Sequence, residues 1–189
     1  MESGEIDNEW VEQQAYDLLD SVPEFIWNGQ KLPVPVDEIV DNVLGLRVRT
    51  VEDMSKAPGC GDLKPGEVSG LLLTSLGEIW VDATEAGQWD TRRRFTVGHE
   101  VGHYLIHRYG RPQIFCRTAD IVEDEEPPRT GPSPKPVPEL EADAFAAALL
   151  MPAHLIREQA ADCGRDLEEM KRRFECSHKA MSYRLFTVR

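Results

Sequence analysis

The sequence predicts an α+β fold, mainly helical, with a small and mostly antiparallel sheet packed on a histidine-bearing helix. Three observations predict it. Apolar residues recur at helical spacing along much of the chain. Two short runs of strand-forming residues, 69–74 and 78–82, flank the turn Ser75-Leu76-Gly77 and read as a β-hairpin. An alanine-rich, nearly all-apolar run at 139–150 has the pattern of a helix sunk in a core. At 189 residues the chain is long enough for one domain with a proper hydrophobic interior.

The elements follow in order. Residues 9–19 place Trp10, Val11, Ala15, Leu18 and Leu19 at near-helical spacing, and Pro23 stops that helix. A second helix starts after Pro35, where Asp37 and Glu38 favour the N-terminal end, and Gly45 closes it. Alternation over 46–51 marks a strand, and the Pro- and Gly-rich stretch 54–66 a loop. After the hairpin a helix runs over about 91–108, with Asp90 or Thr91 as its cap and Gly110 and Pro112 beyond its end. Its face contains Gly98 and Gly102, each costing about 1 kcal/mol relative to alanine. Close approach of another element, expected to be the hairpin, offsets that cost.

Residues 117–138 hold an acidic cluster and six of the thirteen prolines, the composition of a loop. Pro138 and Pro152 open the next two helices, and two short helical patterns separated by Cys176-Ser177 end the chain, with Ser177 as an N-cap. The expected organisation is an N-terminal helix and extension over 1–34 and a main domain over 35–189.

The charge of −13 argues against a general nucleic-acid binder. A local basic excess and a helix-turn-helix look at the C-terminal end leave a DNA-binding regulator as the weaker rival. Apolar runs fall short of the ~18–20 residues that span a bilayer, and Met1-Glu2-Ser3-Gly4-Glu5 lacks the features of a signal peptide. A cytoplasmic protein with no membrane partner is the expectation. The four cysteines show no paired spacing and read as reduced thiols; Cys116 alone follows the histidine helix closely enough to approach a site there.

The chemistry centres on His99-Glu100-Val101-Gly102-His103. Positions i and i+4 of a helix lie about 6 Å apart on one face, a spacing at which two imidazoles grip one Zn²⁺. Glu100 is then placed as general base for a water that the zinc activates. His107 continues the series, but about 12 Å of helical rise from His99 removes it as a ligand and leaves a helix-face residue. The third ligand is expected from the alanine-rich helix, where Glu139 and Asp143 share a face. Glu139 binds the metal while Asp143 accepts the outer N–H of a ligating histidine, with Glu141 the alternative ligand. For the donor that stabilises the oxyanion, Tyr183, His154 and His178 are the candidates. The strand 78–82 is expected to offer an edge to an extended substrate.

The run from Arg94 through His103, followed by Glu139-Leu140-Glu141-Ala142-Asp143-Ala144-Phe145-Ala146-Ala147-Ala148-Leu149-Leu150-Met151-Pro152, resembles the ImmA/IrrE metallopeptidase family over roughly residues 35–185. The resemblance implies a minimal gluzincin-like zincin fold, zinc held by His99, His103 and Glu139, and Glu100 as general base. It also implies intracellular proteolysis of a helix-turn-helix repressor or antitoxin encoded nearby. Asp143 stands where many relatives carry Asn, and the Pro/acidic insert is less typical. The rival from another class is a zinc-containing regulatory or toxin–antitoxin-associated protein that cleaves nothing.

Overall fold

The computed structural model describes residues 6–57, 60, 68–83, 90–107, 115–118 and 135–188, with backbone alone for 115–118. Most of the Pro/acidic loop and part of the 54–66 loop lie outside the described residues. Among them are seven α-helices, a 3₁₀ turn at Met54–Lys56 and four strands, an α+β and mainly helical fold. In chain order these are α1 (Asn8–Asp20), α2 (Val36–Asn42), β1 (Arg47–Val51), β2 (Val68–Leu73), β3 (Glu78–Asp82), α3 (Asp90–Ile106), β4 (Phe115–Thr118), α4 (Val137–Leu150), α5 (Ala153–Cys163), α6 (Leu167–Phe174) and α7 (His178–Thr187).

The sheet order is β1-β3-β2-β4, with β1 parallel to β3 and the other two pairings antiparallel. The predicted hairpin is β2–β3, turned by Gly77 at φ +63°, a conformation glycine adopts without strain. Both strands are buried on both faces. Leu72, Ile79 and Val81 join the main core, while Leu71, Leu73 and Trp80 pack with Met54, Ala57 and Cys60. β3 therefore sits inside the sheet, and the expectation that it offers an edge to substrate is overturned. The edges among the described residues are β1 and β4.

The main core forms where α3 lies against α4, and α1 packs on α4 as well. Gly98 and Gly102 explain how closely α3 and α4 approach. A Cβ on Gly102 would meet Ala142 Cα at 3.1 Å and Phe145 Cβ at 3.2 Å; one on Gly98 would meet Ala146 Cβ at 3.3 Å. The two glycines thus face the alanine-rich helix and not the hairpin, which corrects the expected partner. Small residues on both helices let the backbones come together, and that contact offsets the helix-propensity cost.

Polar ties fix the surrounding helices. Arg93 of α3 donates to both carboxylate oxygens of Asp37 on α2, at 2.9 and 2.7 Å. Arg184 of α7 donates to Met151 O at 2.8 Å and to Glu12 of α1 at 2.6 and 3.1 Å. Ser177 caps α7 as expected, accepting from Ala180 N–H at 3.1 Å. No helix among the described residues is long and apolar enough to cross a membrane.

Candidate metal centre

α3 carries His99, Glu100 and His103, all fully buried, because its middle turns are wedged between the sheet and α4. α4 enters beside them through Pro138 in its first turn, and that entry sets Glu139 across from the histidines. His99 Nε2 and His103 Nε2 are 3.0 Å apart. Each lies 3.2 Å from an oxygen of Glu139. A tetrahedral zinc with bonds of about 2.0–2.1 Å separates its donor atoms by about 3.3 Å, so these three fit the ion's donor set. His99, His103 and Glu139 form a group that could hold a metal.

The electrostatics favour a cation. Burial by itself would raise the Glu139 carboxyl, but hydrogen bonds to His103 and His99 outweigh it and hold the group far below the usual carboxylate range. Asp143 moves the same way: its burial is outweighed by the hydrogen bond and charge of His99 together with those of Lys135. Burial dominates at His103 and keeps it below the ordinary histidine value, a neutral ring with a lone pair to give. At His99 burial is outweighed by the bonds to Asp143 and Glu139, and the ring is shifted upward. An ionised Glu139 beside the His103 lone pair is a donor set that suits a cation.

The neighbours of the two histidines differ. His99 Nδ1 lies 2.8 Å from Asp143 Oδ1, and Lys135 donates to the other Asp143 oxygen at 3.0 Å. His103 Nδ1 lies 3.0 Å from His107 Nδ1, and His107 Nε2 lies 2.9 Å from Glu141 Oε2. His107 is thus no plain helix-face residue, and Glu141 pairs with it instead of joining the donor triangle. Neither partnership of this second branch was anticipated. The i, i+4 continuation from His103 to His107 was the available signal.

Glu100 is fully buried where α3 meets β2. A Cβ built on Gly70 would lie 2.5 Å from Thr96 Cγ2 and 2.8 Å from Glu100 Oε1. Gly70 lets the strand backbone come close enough to wall in that carboxylate. An isolated glycine within a strand of leucines signals such an approach, a cue that the sequence carries at Gly70.

The three oxyanion candidates do not converge on the centre. Tyr183 is 60 % exposed on α7. Arg184 seats that helix at Met151, twelve residues and ~18 Å along α4 from Glu139. His154 contacts Gly29 O at 3.0 Å, and His178 sits on the surface beside Glu168. Tyr183→Phe is accordingly expected to leave turnover unchanged, measured as initial rates of substrate cleavage. A large loss would return Tyr183 to the chemistry.

The basic C-terminal residues are engaged with acids: Lys171 with Glu168, Arg172 with Glu169, and Arg173 with Glu169 and Asp162. Cys60, Cys163 and Cys176 are free thiols, and burial pushes Cys176 up to about 12. The side chain of Cys116 lies outside the described residues.

A small α+β fold built round two imidazoles and a carboxylate, with a buried glutamate next to the first imidazole, defines a metallopeptidase-type class. Residues 84–186 match the Peptidase M78 family, described as the IrrE N-terminal-like domain, and the chain belongs to that family. The match takes in both helices of the centre and bears out the resemblance read from the two motifs. A solved structure described as "Mycobacterium tuberculosis transcriptional regulator" is similar with a TM-score of 0.51 and 13% identity, over 95% of this chain and 52% of that one. At that identity the likeness speaks for the fold alone, and this chain spans about half that protein's length. No curated protein matches the chain.

Proposed function

We propose that the protein is a zinc-dependent endopeptidase acting in the cytoplasm on a specific regulatory protein, a helix-turn-helix repressor or antitoxin. The observation that carries the peptidase reading is the donor triangle of His99, His103 and Glu139, with Glu100 buried directly beside it. The substrate class rests on the family.

Zinc held by these three residues would supply Lewis acidity, polarising the scissile carbonyl and making water a better nucleophile near neutral pH. Glu100 accepts the proton of the attacking water on its carboxylate and delivers it to the leaving amine. Asp143 accepts from His99 Nδ1–H and so fixes which ring nitrogen faces the centre. The sheet and α4 exclude water from the histidine side. Glu139, with 26% of its side chain exposed, marks where the centre opens to solvent.

The test is incubation of the zinc-loaded protein with the helix-turn-helix protein encoded beside it, read as discrete fragments by mass spectrometry. A chelator is expected to abolish cleavage and added zinc to restore it. A protein that retains zinc and cleaves neither that partner nor a peptide library would support the non-proteolytic reading instead.

A further inference from the structure

Two hydrogen bonds lead outward from His103. A carboxylate oxygen accepts, so His107 Nε2–H donates to Glu141. His107, with that hydrogen on Nε2, offers Nδ1 as an acceptor, and His103 Nδ1–H donates to it across 3.0 Å. With its hydrogen on Nδ1, His103 turns a lone pair at Nε2 toward the point that His99 Nε2 and Glu139 also face. The opposite polarity would place a hydrogen at that point and spoil the donor set.

His99 reaches the same state through one carboxylate, Asp143. His103 reaches it through an imidazole and then a carboxylate, Glu141. The side chains of His107 and Glu141 are 14% and 20% exposed, so water competes poorly for these bonds. The pair also links the residue just past the end of α3 to the first turns of α4, two residues from Glu139.

We propose that His107 and Glu141 are a positioning pair that fixes the tautomer and ring plane of His103 for zinc. The proposal rests on the reading of His99, His103 and Glu139 as the ligands. His107 and Glu141 touch neither metal nor substrate, and they act through His103. Loss of such an outer partner weakens metal binding about 10–100-fold.

The experiment measures Zn²⁺ affinity by competition with a chromophoric chelator, alongside thermal unfolding of each metal-free variant. His107→Leu is expected to bind zinc about 10–100-fold more weakly than wild type. His107→Gln is expected to recover most of that loss, because its amide can accept from His103 and donate to Glu141. Glu141→Ala is expected to weaken binding, though less completely than Glu139→Ala. Unchanged affinity in folded His107→Leu would overturn the proposal and leave only a helix-to-helix tie. A loss at Glu141→Ala as complete as at Glu139→Ala would overturn it too, by making Glu141 a ligand. Zinc binding that survives both His99→Ala and Glu139→Ala would overturn the ligand reading itself, a separate failure. One measurement needs no variant: proton–nitrogen correlation of His103 in zinc-loaded wild type is expected to show a hydrogen-bonded Nδ1–H, and an Nδ1 without hydrogen would refute the pair's role.

Discussion

Glu100→Gln is expected to lower cleavage by about 10²–10⁴-fold, the contribution typical of a positioned proton-transfer group. Zinc content is expected to stay at wild-type stoichiometry, because Glu100 lies outside the triangle of His99, His103 and Glu139. Gln fills the same volume in a fully buried position, so packing between α3 and β2 is preserved. It removes the capacity to take up a proton and relieves the cost of burying a carboxylate. Stability is therefore expected to hold or rise while activity collapses. This opposition is common where a chemical group strains the fold that holds it. Single-turnover rates, zinc content and urea midpoints measured on one preparation check all three. Near-normal rates in Glu100→Gln would remove the glutamate from the chemistry, and loss of zinc would make it a ligand.

That outcome would bear on the part of the site that was most legible in sequence. The pentapeptide and the carboxylates of α4 could be read because helical periodicity is local: i and i+4 share a face whatever the rest of the chain does. The same rule located Glu139 and Asp143, one turn apart on α4. Contacts between elements were harder. Gly98 and Gly102 were seen to need a close neighbour, yet periodicity alone does not say which one, and α4 took the place expected of the hairpin. The edge assigned to residues 78–82 failed for a related reason. A hairpin shows which strands are joined but not what pairs with its outer sides, and β1 comes back parallel to β3. The i, i+4 spacing offers His107 as a ligand or as a helix-face residue. Distance rules out the ligand, but a residue too far to bind the metal can still hold one that does.

The second large effect expected is at Gly70. Gly70→Ala would set a methyl 2.5 Å from Thr96 Cγ2 and 2.8 Å from Glu100 Oε1, and both contacts are too short to stand. Thr96 is fully buried and β-branched, so its rotamers are restricted in a helix and it cannot simply swing aside. Either α3 shifts off β2 or Glu100 leaves its place. A displacement of about 1 Å at a reacting group costs about 10²-fold in rate, and that is the loss expected in kcat. Stability is expected to fall by about 1–3 kcal/mol from overpacking, less the roughly 0.5–1 kcal/mol that alanine gains over glycine within a strand. Zinc affinity is expected to change little, since the ligand face of α3 turns toward α4. The two short contacts can be separated. Adding Thr96→Ser to Gly70→Ala removes the methyl behind the 2.5 Å clash, so stability should recover while the contact with Glu100 persists. Recovery of stability with turnover still low would locate the damage at the carboxylate. Recovery of both would show that Gly70 serves packing alone, and that Glu100 tolerates a side chain against it.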